Sequence, residues 1–132
     1  MNNNNKRTII EYWLEKSRQD IGSAKDNLNN NRLQNAVRDL YYSFFHAFSA
    51  LLFNEEKLFK KHTHVRAIFH RDYIKEGKID LKWGKIYDWL FDNRQKADYR
   101  PLVEFDRNEI TSLYENAQDF LTTISELIII NE

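Results

Sequence analysis

Apolar residues recur at helical intervals along almost the whole chain, and they are densest in NAVRDLYYSFFHAFSALLF, residues 35–53. On a helical projection Val37, Leu40, Tyr41, Phe44, Phe45, Ala47, Phe48, Leu51 and Leu52 fill far more of the circumference than the single stripe of a surface helix. This segment is expected at the centre of a helical bundle. Its opposite side carries Asp39, Tyr42 and His46 at i, i+3 and i+7, with Arg38 beside them, a polar strip of aromatic and titratable groups.

The flanking segments follow the same period. Residues 1–7 are expected as a disordered tail ahead of a single domain over 8–132. Thr8 to Glu11 has the spacing of a capping box, and a first helix should run to about Leu28 with Ile10, Trp13, Leu14, Ile21, Ala24 and Leu28 inward. The Asn-rich stretch 27–31 supplies a turn before the central helix. After a basic loop, Thr63 is placed as the cap of a third helix that ends near Glu76, before Gly77. Asp80 should cap a fourth, with Trp83, Ile86, Tyr87, Leu90 and Phe91 on one stripe, closed by Pro101 near Asp98 or Tyr99. A last helix opens at Asp106 and repeats Ile110, Leu113, Tyr114, Ala117, Phe120, Leu121, Ile124, Leu127 and Ile128 at three and four. The pattern predicts an all-α fold, a five-helix up-and-down antiparallel bundle.

Composition changes that picture little. The 132 residues include three Gly and one Pro, which favours long helices over a turn-rich β architecture. Without cysteine, disulfides, thiolate metal sites and cysteine nucleophiles are excluded, and no segment has the length of a membrane span or the pattern of a signal peptide, so a cytoplasmic protein is expected. Charge is more informative locally than globally. The formal net charge is zero, yet residues 57–85 hold nine Lys/Arg against three Asp/Glu. That basic stretch either contacts phosphates or is a solvated face balanced by acidic residues elsewhere in the fold.

Few catalytic motifs are available. There is no Glu-x-x-His pair, no His-Glu-x-x-His, no phosphate-binding Gly loop and no Ser elbow, and no cofactor is expected. His62, His64, His70 and Asp72 could be drawn as a metal cluster, but the surrounding basic charge opposes it. His46 reads either as a core histidine satisfied by Asp39 or a backbone carbonyl, or as a titrating group in a cleft. The segment Arg94-Gln-Lys-Ala-Asp98-Tyr99 reads either as an Arg94–Asp98 ion pair with a packed Tyr99, or as a site.

Taken together these segments resemble the HEPN (higher eukaryotes and prokaryotes nucleotide-binding) family, particularly its small single-domain prokaryotic members. Residues 36–47, AVRDLYYSFFHA, are similar to that family's central helix. Lys60-Lys61-His62 with Val65 and Phe69 is similar to its Lys-Thr-His loop, and Arg94, Ala97, Asp98 and Tyr99 match its Arg-x-x-Ala-Asp-Tyr signature. The resemblance implies a bundle that dimerises with two Arg-containing segments facing one cleft, and a toxin-antitoxin-like system that binds or cleaves RNA. The metal-independent ribonucleases of the family use Arg-x(4 to 6)-His. Here Tyr99 stands at the usual histidine position, so His46 or His62 would have to carry the proton.

The site candidates are therefore Arg94, Asp98, Tyr99, His46 and His62 for catalysis, and Lys60, Lys61, Arg66 and Arg71 for RNA contacts. The alternative that the resemblance implies is a non-catalytic module docked and regulated by a minimal nucleotidyltransferase partner, with Tyr99 as the acceptor of AMP.

Overall fold

The computed structural model describes residues 3–57, 61–99 and 104–130, with the side chains of Asn3, Tyr99 and Ile130 outside that description. Five helices and no strand occur among the described residues: α1 (Asn3–Asn29), α2 (Leu33–Asn54), α3 (His62–Ile68, continued by a π-helix over Phe69–Ile74), α4 (Leu81–Tyr99) and α5 (Arg107–Ile130). The expected all-α bundle is the fold. No helix is long and apolar enough to cross a membrane among the described residues.

Helix α2 is the centre, packed on α1, α4 and α5. Its buried residues include Val37, Leu40, Tyr41, Phe44, Phe45, Phe48, Leu51 and Leu52, the set that the periodicity marks. Small side chains let α1 come close: Ala24, Ala36, Ala47 and Ala50 are fully buried, and the Ser17 hydroxyl donates to the Ser43 carbonyl at 2.8 Å. Against α5, Phe44 stacks on Phe120 with ring centroids 4.2 Å apart.

The helix ends depart from expectation at two places. Helix α1 begins at Asn3, inside the stretch expected to be a disordered tail, and the Thr8 hydroxyl donates to the Asn4 carbonyl within the helix instead of capping its start. A capping box needs a non-helical residue at its head, and the residues before Thr8 are already helical. Likewise Thr63 lies within α3, whose N-cap is Lys61 without a side-chain capping bond.

Other ends follow the sequence. Asn31 takes φ of 57° in the turn before α2, a conformation that Asn tolerates, and Arg107 Nη1 closes the end of α1 by donating to the Leu28 carbonyl at 2.6 Å. Asp80 and Asp106 accept from the amides of Lys82 and Asn108 at 2.8 and 3.0 Å.

Among the described residues the π-helix is the one irregular element. Its wider turn, marked by the Lys75 amide donating to the His70 carbonyl, seats Phe69 and Tyr73 together against Phe48, at centroid distances of 4.7 and 5.1 Å. Gly77 ends the segment at φ of 73°, the stop expected there. On the other side His70 meets α4, where a Cβ on Gly84 would lie 3.0 Å from its ring.

Candidate functional site

The polar strip of α2 forms a candidate site because α1, α3 and α4 all bring side chains to it. Tyr42 is the meeting point. The Arg94 guanidinium carbon lies 5.8 Å from the Tyr42 ring centroid, the His46 ring 5.7 Å away and the His62 ring 5.9 Å away. Arg94 Nη1 also donates to the Tyr42 hydroxyl at 3.4 Å. Three of the expected residues, separated along the chain by as many as 48 positions, thus surround one half-buried phenol.

Arg94 is held by aromatic faces instead of acid. Its guanidinium lies 4.7 Å from the centroid of Tyr41, and its Nε is buried without a hydrogen-bond partner. No carboxylate pairs with it among the described residues, which leaves a planar cation free to take an anion. The Arg94–Asp98 ion pair weighed from the sequence is replaced by a pair between Asp98 and Arg38 Nε at 3.4 Å. Both residues at i, i+4 were available to each other, but α2 supplies a nearer cation.

His62 enters from the first turn of α3. Its ring stacks on Phe45 at 4.1 Å and its Nδ1 meets the Tyr41 hydroxyl at 2.7 Å, so Nε2 is the nitrogen left for other work. Burial, then the positive charges of Arg94 and His46, hold the His62 pKa below the ordinary imidazole value. Burial pushes Tyr41 up to about 12, so its hydroxyl keeps its proton near neutrality. A neutral imidazole beside a guanidinium is suited to accept a proton while the cation holds the substrate's charge.

His46 is satisfied by neither Asp39 nor a backbone carbonyl. Its Nδ1 is 2.6 Å from Asp20 of α1, while Asp39 accepts from Asn27 at 2.7 Å, also on α1. Burial raises the Asp39 pKa, with the bond from Asn27 acting the other way.

Asp20 and Tyr41 are two partners of the cluster that the motifs did not mark. A signal for Asp20 exists: with Trp13 and Ser17 it falls on the inward stripe of α1, where an acid needs a partner.

The remaining candidates are dispersed. Arg66 stacks on Phe91 and pairs with Asp92 and Asp88 at 3.5 and 3.8 Å, and Arg71 is bound by Asp72 at 2.8 Å. Two cations of the basic stretch, Arg66 and Arg71, are thus balanced within the fold. Lys61 is exposed next to His62. Lys60 lies outside the described residues, and Tyr99 is placed only as the last residue of α4. The four residues drawn as a metal cluster part company, with His62 on Tyr41, His70 on Asp88 at 2.8 Å, Asp72 on Arg71, and His64 exposed.

Comparison with known proteins agrees with this fold. The sequence profile of the HEPN domain matches residues 10–127, which include α2 and every residue around Tyr42. A Thermotoga maritima protein named UPF0332 protein is 40% identical over 125 residues, covering 95% of each chain. Two Methanocaldococcus jannaschii proteins carry names that describe them as candidate toxins. One is 30% identical over 92% of this chain and 90% of its own, and the other is 28% identical over 91% of this chain and 82% of its own. The chain belongs to the HEPN family.

Proposed function

We propose that this protein is a toxin-type HEPN protein that binds and cleaves RNA at the Arg94 cluster. The observation that supports it most is the convergence of Arg94, His62 and His46 on Tyr42. Arg94, without a carboxylate partner, grips a phosphodiester through its guanidinium fork, and the two histidines supply the proton carrier that Tyr99 cannot. A phenol with pKa near 10 is ionised only to about one part in a thousand at pH 7.

The toxin setting rests on the names of the two archaeal relatives. In this reading the protein is a homodimer, and its activity is held in check by a nucleotidyltransferase partner that modifies Tyr99. Asp98 fixes Arg38 at the rim, and Lys60 and Lys61 lead the RNA backbone in. Arg66 and Arg71 contribute to the field more than to direct contacts, because each already has a carboxylate.

The test is cleavage of a single-stranded oligoribonucleotide in chelator-containing buffer, together with its binding as a function of salt. Wild type should bind with a steep salt dependence and cleave, and Arg94→Ala should lower cleavage by about 100-fold or more. An Arg94→Ala protein that binds and cleaves like wild type refutes the site. Wild type that leaves RNA untouched but gains AMP on Tyr99 from a nucleotidyltransferase supports the interaction module instead.

A further inference from the structure

Asp20 sits on α1, outside the three segments that carry the family resemblance, yet it makes a close contact in the site. Its carboxylate is 2.6 Å from His46 Nδ1, with 22% of its side chain exposed and 14% of that of His46. The His46 ring is also clamped between Trp13 and Tyr42, at centroid distances of 5.4 and 5.7 Å and interplanar angles of 25° and 28°. The clamp prevents ring rotation, and the carboxylate, which can only accept, requires the proton to be on Nδ1. Nε2 is then the nitrogen that can exchange a proton with a ligand.

His62 is held at Nδ1 by a hydroxyl, which can donate or accept, so service as a base at Nε2 takes the tautomer whose Nδ1–H donates to the Tyr41 oxygen. Its ring is fixed on Phe45. Two imidazoles with committed Nδ1 atoms therefore flank Tyr42 next to one guanidinium. The charged groups around His46 are Asp20 from α1, His62 from α3 and Arg94 from α4, with Asp39 on its own helix held by Asn27.

We propose that Asp20 is a positioning residue that holds His46 as the proton donor to the leaving oxygen, with His62 as the base. This rests on the ribonuclease reading above. His62 Nε2 takes the proton of the ribose 2′-hydroxyl, and the 2′-oxygen forms a bond to phosphorus as the bond from phosphorus to the 5′-oxygen breaks. Arg94 stabilises the charge on the phosphoryl oxygens. His46 Nε2 gives its proton to the departing 5′-oxygen, leaving a 2′,3′-cyclic phosphate and a 5′-hydroxyl. Proton exchange with water restores the two rings. No metal is required by this balance of atoms.

The experiment compares an ordinary oligoribonucleotide with uridine 3′-(4-nitrophenyl phosphate), whose leaving group departs without being protonated. Asp20→Asn and His46→Ala should lose about 10-fold and about 100-fold on RNA, and less than about 3-fold on the activated ester. His62→Ala should lose both activities, and Asp20→Glu should recover part of the RNA activity. The alkaline limb of the kcat pH profile, which reports the proton donor, should move in Asp20→Asn while KM stays within about 2-fold. If Asp20→Asn fails to fold, Asp20→Glu and His46→Gln are read on the same two substrates.

Equal losses on both substrates make Asp20 merely structural and overturn the proposal, as does an Asp20→Asn protein with wild-type rates on RNA. Wild type that cleaves neither substrate overturns it together with the ribonuclease reading. Cleavage that needs Arg94 but is indifferent to Asp20 and His46 overturns this inference alone.

Discussion

Replacing Tyr41 by Phe isolates a single hydroxyl at the centre of the site. The ring is fully buried against Phe45, Tyr87 and Phe91 and beneath Arg94, and Phe keeps all of those contacts. What is lost is the 2.7 Å bond to His62 Nδ1. A neutral hydrogen bond contributes about 0.5–1.5 kcal/mol net, and a stranded buried partner adds about 1–3 kcal/mol. His62 is only partly buried, so water can reach part of its edge and the penalty should fall at the low end.

The expected loss is about 1–1.5 kcal/mol, or roughly 3–6 °C in melting temperature. Tyr41→Ala also removes the ring and should cost about 3–5 kcal/mol. Urea unfolding of both variants, with a cycle through His62→Ala, gives the values; the coupling between the two positions should be near 1 kcal/mol. A Tyr41→Phe protein within about 0.3 kcal/mol of wild type, or one as unstable as Tyr41→Ala, would refute the assignment of this bond.

Further outcomes follow from the same geometry. Because the folded-state pKa of His62 lies below its unfolded value near 6.5, unfolded chains bind the proton more readily. Its contribution to stability is therefore complete above about pH 6.5 and is lost as pH falls through the folded value, which melts at pH 8 and 5.5 in wild type and His62→Ala will reveal. Arg94→Ala removes one of the charges that depress His62, so NMR should show its titration moving upwards. Asp39 has the opposite sign: burial raises its pKa, so the charged form is a liability above its folded value. Asp39→Asn, which can still accept from Asn27, should raise the melting temperature at pH 7, with the gain shrinking as pH falls through about 4. Arg94→Lys keeps the charge but loses the stack on Tyr41 and the planar fork, and should retain RNA binding more than cleavage.

The bundle was legible because its information is periodic. Every apolar residue predicted for the inward face of α2 is buried, and the Asp80 and Asp106 caps are where short-range chemistry places them. The start of α1 was not, since Thr8 and Glu11 have the right spacing whether or not the residues ahead of them are helical. The π-helix was equally hidden: Phe69 and Tyr73 satisfy an α-helical interval, and nothing in their spacing marks the wider turn that accompanies their packing on Phe48.

The site divides along the same line. Arg94, His46 and His62 were marked by motif, but their meeting at Tyr42 depends on how three helices cross. Partner choice was least visible. Asp98 selects Arg38 over Arg94, and His46 selects Asp20 over Asp39, through contacts 60 and 26 residues apart that no local rule encodes.

The burial of α2 on several sides bears on when the site can open. Its amide protons should exchange with solvent mainly through global unfolding, because no smaller opening releases a helix enclosed by α1, α4 and α5. Tyr41, Tyr42 and His46 ride on that helix and share its protection. Arg94 belongs to the last turns of α4, where more of the residues are exposed, so adjustment to a ligand falls to the cation while His46 stays fixed. Hydrogen exchange should separate the two sides of the site, with slow amides across residues 40–50 and faster ones from Asn93 onward.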